Sequence, residues 1–138
     1  MVTTYYLDTS IAYHALVGTP EAAEWFDRVD NEYPGSLVSS RLLRTELTRA
    51  LRRDGAPVQD RDAVLDRLAQ VPLTESVLVG AEAITEHVKT LDAIHLASAL
   101  SLGDDVVVVS HDDGVKRVAT LLGLDVLDPL AGSGTAAR

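Results

Sequence analysis

The sequence contains no cysteine among its 138 residues, which excludes disulfide bonds and thiolate metal sites. Aromatic residues are also scarce, at 4%, and no apolar run is long enough to span a membrane. Two threonines follow Val2, so the N-terminus does not resemble a signal peptide. We therefore expect a cytoplasmic protein without membrane contacts, and the hydrophobic fraction of 46% suffices for the core of one domain.

Basic residues are outnumbered by acidic ones, 12 to 21, so the net charge is -9. Taken alone, this charge argues against nucleic-acid binding, because phosphate contacts favour basic surfaces. The basic residues are unevenly distributed, however, since five arginines fall in one short segment: Arg41, Arg44, Arg49, Arg52 and Arg53. The segment is either a solvated helix face or a local surface that binds phosphates or a partner.

Strands and helices alternate along the sequence. We predict strands at 3–7 and 36–39, a possible strand at 71–74, and strands at 105–110 and 125–127. We predict helices at 11–17, 21–30, about 40–53, 59–70, 75–87, 91–102 and from 112 to about 122, with Thr9 or Ser10, Ser39 or Ser40, and Thr90 as N-caps. This alternation predicts one α/β domain, residues 1–130, with a mostly parallel sheet covered on both faces and a frayed tail at 131–138.

Four carboxylates fall where this fold would bring them together. Asp8 and Asp112 each follow an apolar strand, Glu46 borders the apolar stripe of its helix, and Asp92 lies in the first turn of another helix. Like charges in one pocket raise each other's pKa values or bind a cation. Oxygen ligands without cysteine indicate Mg²⁺ or Mn²⁺, and a cation held in this way can activate water for phosphodiester hydrolysis.

Each carboxylate also has an explanation that needs no site. Asp8 and Asp112 are good turn or capping residues, and Asp92 complements a helix dipole. Glu46 can pair with Arg49 or Arg53 on its own helix. Spacing alone leaves both interpretations open.

Four segments carry a resemblance to a known family. They are YLDTSIAYHAL at 6–16, SSRLLRTELTRAL at 39–51, TLDAIHLASAL at 90–100 and VVVVSHDDGVKRVATLLGLDVLDP at 106–129. In sequence and order they resemble the PIN-domain ribonucleases, and most closely the VapC toxins of bacterial toxin–antitoxin pairs. Residues 52–89 match only in helical character.

The resemblance implies a PIN-like domain with a five-stranded sheet. It also implies that Asp8, Glu46, Asp92 and Asp112 are the catalytic residues and the ligands of Mg²⁺ or Mn²⁺. Asp112 is preferred to its neighbour Asp113 because the family pattern places the acid directly at the strand end. The residues with a possible supporting role are Ser10, Ser110 and Asp113.

The histidines add little to this prediction. His95 lies three residues from Asp92, on nearly the same helix face, and is either a general base or a polar residue packed near the site or at a subunit contact. We favour the packed residue. His111 is expected to point away from Asp112.

The leading hypothesis is a metal-dependent endoribonuclease that acts as the toxin of a VapBC-type pair. The alternatives are a catalytically weak PIN-fold module that mainly binds an antitoxin, and an acidic phosphatase or receiver-like domain. The four carboxylates favour the enzyme, since a binding module does not need them.

Three partners are expected: an RNA substrate, a VapB-like antitoxin and a second copy of the chain. We predict that some of Arg49, Arg52 and Arg53 contact RNA phosphates. Trp25 and Phe26 are adjacent, so we predict that one ring anchors the core while the other lies in an exposed groove that binds antitoxin. The alternative is that both rings belong to the core.

Overall fold

The computed structural model describes residues 2–131, which form an α/β fold around one parallel sheet. The five strands follow the order β3-β2-β1-β4-β5. They are β1 (Thr4–Leu7), β2 (Leu37–Ser40), β3 (Ala69–Val71), β4 (Val106–Val109) and β5 (Asp125–Leu127). The helices are α1 (Thr9–Leu16), α2 (Pro20–Glu32), α3 (Arg41–Asp54), α4 (Asp62–Leu65), α5 (Glu75–Glu82), α6 (Thr90–Leu100) and α7 (Asp113–Leu121), with a 3-10 turn at Val58–Arg61.

Two hydrophobic clusters lie on opposite faces of the sheet, because successive strand residues point in opposite directions. Leu7 and Val109 belong to the cluster that packs against α1, α2, α3 and α4. Tyr6 and Val108, one position earlier in each strand, belong to the cluster that packs against α6 and α7. The predicted fold is therefore confirmed: a five-stranded parallel sheet covered by helices on both faces.

The strand register determines which residues meet at the carboxyl edge of the sheet. Strand β1 pairs with both β2 and β4, and Leu7 lies opposite Val109. The residues that follow, Asp8 and Ser110, are consequently neighbours at the point where the two central strands end. Asp8 continues the ladder by donating its backbone N–H to the Val109 carbonyl, at 3.1 Å.

Helix starts at this edge are capped by residues that partly differ from the prediction. The N-cap of α1 is Asp8, not Thr9 or Ser10, and its Oδ1 accepts from the Ile11 N–H at 3.3 Å. Ser40 caps α3 as predicted, accepting from the Leu42 N–H at 2.9 Å. Thr90 does not cap α6, because it is already the first helical residue.

The segment between α3 and α6 departs most from the prediction. The predicted helix at 59–70 is wrong: after the 3-10 turn and the single turn of α4, the chain leaves the helix so that Ala69–Val71 can pair with β2. The strand predicted at 71–74 lies at Ala69–Val71 instead, and Pro72, which lacks a backbone N–H, cannot extend it.

Helix α5 also ends earlier than predicted, at Glu82 rather than near His87. The chain then turns so that Ile84 and Val88 pack against the cluster of α6 and α7. Burial of these two side chains outweighs the helix propensity of the segment. Among residues 2–131, no helix combines the length and apolar composition needed to cross a bilayer.

The prediction that Trp25 or Phe26 lies in an exposed groove is wrong. Trp25 is 5% exposed and Phe26 is 2% exposed. Ala22, Trp25, Phe26 and Val29 follow the i, i+3, i+4, i+7 spacing, which makes an apolar stripe wide enough to bury two adjacent residues. The alternative, that both rings belong to the core, is confirmed, and their expected antitoxin contact has no structural basis.

The frayed tail predicted at 131–138 lies outside the described residues apart from Ala131.

Candidate functional site

Asp8 is the most deeply buried carboxylate at the carboxyl edge of the sheet, with 3% of the residue exposed. Ser110 donates its hydroxyl to Asp8 Oδ2 at 2.5 Å, and Ser10 donates to Oδ1 at 2.6 Å. Burial raises the pKa of Asp8, and these two hydrogen bonds oppose the rise without cancelling it. The sheet thus holds a carboxyl group that is costly to ionise unless a cation approaches it.

The two serines also tie the β4–α7 loop to Asp8. Ser10 Oγ accepts from the backbone N–H of His111 at 3.0 Å, and Ser110 Oγ accepts from that of Asp112 at 3.0 Å. Each serine therefore donates to Asp8 and accepts from the loop that carries Asp112. Their predicted supporting role has a structural counterpart in these contacts.

Glu46 is held by a chain of hydrogen bonds that crosses the sheet edge. Its Oε1 accepts from Thr9 and lies 2.7 Å from His95 Nε2, while His95 Nδ1 lies 2.7 Å from the Tyr6 hydroxyl. With a proton on Nε2, His95 donates to Glu46, while Nδ1 pairs with the Tyr6 hydroxyl. Both bonds to Glu46 use Oε1, so neither occupies Oε2.

The pKa of Glu46 is shifted in the opposite direction from that of Asp8. Partial burial acts to raise the pKa of Glu46, but the hydrogen bond and charge of His95 and the hydroxyl of Thr9 outweigh it, so the pKa is lowered. His95 is 1% exposed, which confirms a polar residue packed near the site. The alternative pairing of Glu46 with Arg49 or Arg53 is not formed in the described part of the chain.

Asp92 and Asp112 complete one acidic pocket of about 360 Å³, which Asp8 and Glu46 also line. Burial raises the pKa of Asp92, and the nearby charges of Asp112, Asp8 and Glu46 raise it further. Asp112 caps α7, with Oδ1 accepting from the Val115 N–H at 2.9 Å. Capping and lining the pocket are therefore compatible roles for Asp112, as they are for Asp8.

Asp113 does not share this environment. Its side chain is 99% exposed and lies 3.4 Å from Lys116. His111 points away from the acidic pocket, as expected, with Nδ1 at 3.0 Å from Asp128 Oδ2.

The donor set of the acidic pocket suits a divalent cation that keeps part of its water shell. Within residues 2–131, no three His, Cys, Asp or Glu side chains already lie close enough to hold one ion. Carboxylate oxygens are nevertheless the ligands that Mg²⁺ and Mn²⁺ prefer, and Mg²⁺ commonly retains several waters. The mutual repulsion that raises the pKa of Asp92 is the condition that a bound cation relieves.

A second cavity of about 650 Å³, here called the lateral groove, opens beside the acidic pocket. The two share Thr9, Ser10, Glu46 and Leu91, so they are continuous. Arg49 and Arg53 line the groove, because on α3 they lie three and seven residues beyond Glu46 and share its face. Arg52 does not line it.

Sequence reasoning missed several residues of this region. The sequence identifies Tyr6 and Thr9 only as strand and capping residues. It gives no role to Lys89, which lines the acidic pocket. Tyr13 lines the lateral groove. The one local signal was the position of Tyr6, Thr9 and Lys89 within three residues of Asp8 or Asp92. Tyr13 had none, because its hydrogen bond is to Asp54, 41 residues away.

Repulsion in the acidic pocket predicts the effect of neutralising Asp92. Its folded pKa is raised, so ionisation destabilises the metal-free fold progressively as pH rises through that pKa. In EDTA at pH 7, Asp92→Asn should gain between zero and about 1 kcal/mol in urea unfolding, since solvent screening and the removal of a favourable helix-dipole interaction limit the gain. The gain should shrink as the pH falls below the folded pKa.

Asp113→Asn is the matched control, because it also removes a first-turn carboxylate but lies outside the acidic pocket. It should bring no gain. A loss of stability in Asp92→Asn that does not vary with pH would contradict the inferred repulsion.

Comparison with known proteins agrees with this architecture. The family model described as PIN domain matches residues 5–121. Ribonuclease VapC46 of Mycobacterium tuberculosis is 32% identical over 127 residues, covering 90% of this chain and 96% of that protein.

Solved structures show the same fold at lower identity. The DNA-bound VapBC structure from Salmonella typhimurium aligns with a TM-score of 0.72 at 18% identity, covering 93% of this chain and 99% of that one. A toxin–antitoxin complex from Klebsiella pneumoniae aligns with a TM-score of 0.70 at 19% identity, covering 91% and 98%. Sequence and fold together establish that the chain belongs to the PIN domain family.

Proposed function

We propose that this chain is a metal-dependent endoribonuclease and the toxin of a VapBC-type toxin–antitoxin pair. The observation that carries the proposal is the burial of Asp8 at the ends of β1 and β4, in one pocket with Glu46, Asp92 and Asp112. The relative at 32% identity is named a ribonuclease, which supports the same activity. An interaction module alone would not account for four carboxylates kept together against their repulsion.

Asp8, Glu46, Asp92 and Asp112 are the residues that would hold Mg²⁺ or Mn²⁺. Such an ion, when bound, activates water and offsets charge on the phosphoryl group. Ser10 and Ser110 orient Asp8, while His95 and Thr9 keep Glu46 ionised and leave its Oε2 free of their hydrogen bonds. Lys89, at the rim of the same pocket, can pair with a substrate phosphate.

The proposed partner is a VapB-like antitoxin, because structures of the same fold were solved as toxin–antitoxin complexes. Pairing of two copies of the chain and a cytoplasmic location stay predictions.

Metal-dependent cleavage is the direct test of this function. Wild-type protein should cleave a mixed-sequence RNA with Mg²⁺ or Mn²⁺ and lose the activity in EDTA. Asp8→Asn should reduce the cleavage rate by at least about 100-fold, because it removes the buried ligand. Asp113→Asn, the matched control, should cleave like the wild type. Cleavage that survives both EDTA and Asp8→Asn would refute the proposal.

The lateral groove predicts which arginines contact RNA. Arg49 and Arg53 line it, although Arg53 also pairs with Asp54 at 3.2 Å, whereas Arg44 and Arg52 lie outside it on the same helix. Arg49→Ala/Arg53→Ala should weaken RNA binding in EDTA. It should also reduce the slope of log affinity against log salt by about 0.7 for each phosphate that the variant no longer neutralises.

Arg44→Ala/Arg52→Ala removes the same charge from the same helix and serves as the control. It should have the smaller effect on both affinity and slope. Equal effects of the two double variants would mean that net charge, and not the groove, determines RNA affinity.

A further inference from the structure

The lateral groove contains an aromatic ring that the proposed catalytic residues do not explain. Tyr13 lies on α1, five residues after Asp8, and lines the groove together with Arg49 and Arg53 of α3. The apolar part of the lining comes from Leu42, Ala50 and Leu91. One surface therefore offers an aromatic side chain, apolar side chains and two cations within a cavity of about 650 Å³.

Asp54 holds two of these side chains in place. The Tyr13 hydroxyl donates to Asp54 Oδ2, and Arg53 Nε donates to Asp54 Oδ1 at 3.2 Å. Asp54 ends α3, so this contact ties the far end of that helix to α1. Tyr13 and Arg53 thus share one hydrogen-bond partner, which brings the ring and the guanidinium group to the same part of the groove.

The groove runs directly into the acidic pocket. Thr9, Ser10, Glu46 and Leu91 line both cavities, so the two adjoin and the groove lies within reach of a chain whose phosphate is at the carboxylates. The protein carries a net charge of -9, yet the charged side chains beyond Glu46 in this lining are arginines. Asp54 offsets the charge of Arg53, so Arg49 is the cation of the lining that can pair with a polyanion.

The combination of ring and cations matches the chemistry of a single-stranded nucleotide. Aromatic side chains bind bases by stacking, while arginines contact the backbone phosphates, and neither contact requires a particular base. An apolar protein segment would use the ring but would leave the guanidinium group of Arg49 without an anion, whereas Arg53 already pairs with Asp54. The observed lining therefore favours RNA over a hydrophobic peptide.

We propose that the lateral groove is a base-binding subsite, in which Tyr13 stacks on an unpaired base of the RNA next to the phosphate held at the acidic pocket. This subsite rests on the proposed nuclease function and extends it, since it assigns a base contact to a residue outside the acidic pocket. Arg49 and Arg53 contact the adjoining phosphates, and Asp54 is a positioning residue that orients Tyr13.

The test uses a short fluorescein-labelled single-stranded RNA of mixed sequence and a set of copies that each carry one abasic nucleotide. Binding is measured by fluorescence anisotropy with Ca²⁺ in place of Mg²⁺ and Mn²⁺, so that the acidic pocket can hold a cation, and the RNA is checked for cleavage after each measurement. For the wild-type protein, one abasic position should weaken binding about tenfold, because the stacked base is missing. Abasic copies that all bind like the intact RNA would overturn the proposal.

The Tyr13 variants connect the sensitive position to this ring. Tyr13→Leu should bind intact RNA about tenfold more weakly than the wild type and should no longer respond to the abasic position. Tyr13→Phe keeps the ring but loses the hydrogen bond to Asp54, so it should still discriminate the abasic copy, though less strongly than the wild type. If Tyr13→Leu still discriminates the abasic copy, the base stacks elsewhere and the proposal fails.

Tyr13 also packs against the core, so Tyr13→Leu can affect folding. A crosslink locates the stacked base in the wild-type protein, without a substitution. 4-Thiouridine at the sensitive position should crosslink wild-type protein within α1, identified by mass spectrometry. A crosslink confined to another element would overturn the assignment.

The two proposals fail separately. If one abasic position weakens binding but the RNA is not cleaved with Mg²⁺ or Mn²⁺, the base-binding subsite is supported and the nuclease function is refuted. If the RNA is cleaved but no abasic position weakens binding, the nuclease function is supported and the base-binding subsite is refuted.

Discussion

The buried carboxylate of Asp8 is the constraint around which the rest of the site is arranged. Ionising a carboxyl group that is 3% exposed is unfavourable unless hydrogen bonds and a positive charge compensate. The register of β1 and β4 places Ser110 beside Asp8, and the start of α1 supplies Ser10 and the Ile11 N–H. These donors stabilise the carboxylate only partly, so its pKa stays above the ordinary value.

The carboxylates of the acidic pocket have different environments. Glu46 is kept ionised by His95 and Thr9, and His95 is itself fixed by Tyr6 from inside β1. Asp92 has no hydrogen bond from another side chain in the described part of the chain, and it experiences the charges of the other three carboxylates. Helix α6 therefore carries both His95, which stabilises the carboxylate of Glu46, and Asp92, whose ionised form is destabilised by neighbouring carboxylates.

The sequence predicted the parts of the site that follow from local pattern. Apolar runs that end in Asp8 and in Ser110–Asp112 mark the central strands, and the spacing of Asp92 and His95 places them on one helix. Contacts between distant residues were beyond such patterns: His95 meets Glu46 across 49 residues, and Tyr13 meets Asp54 across 41. The helix predicted at 59–70, the strand predicted at 71–74 and the end of the helix predicted at 75–87 were wrong, because pairing with β2 and burial of Ile84 and Val88 outweigh local helix propensity.

Anomalous diffraction from crystals grown with Mn²⁺ would show whether the acidic pocket holds a divalent cation. We expect an anomalous peak between Asp8 and the carboxylates of Glu46, Asp92 and Asp112, absent from crystals of Asp8→Asn. Peaks only at exposed acids such as Asp113, with none in the pocket, would contradict this expectation.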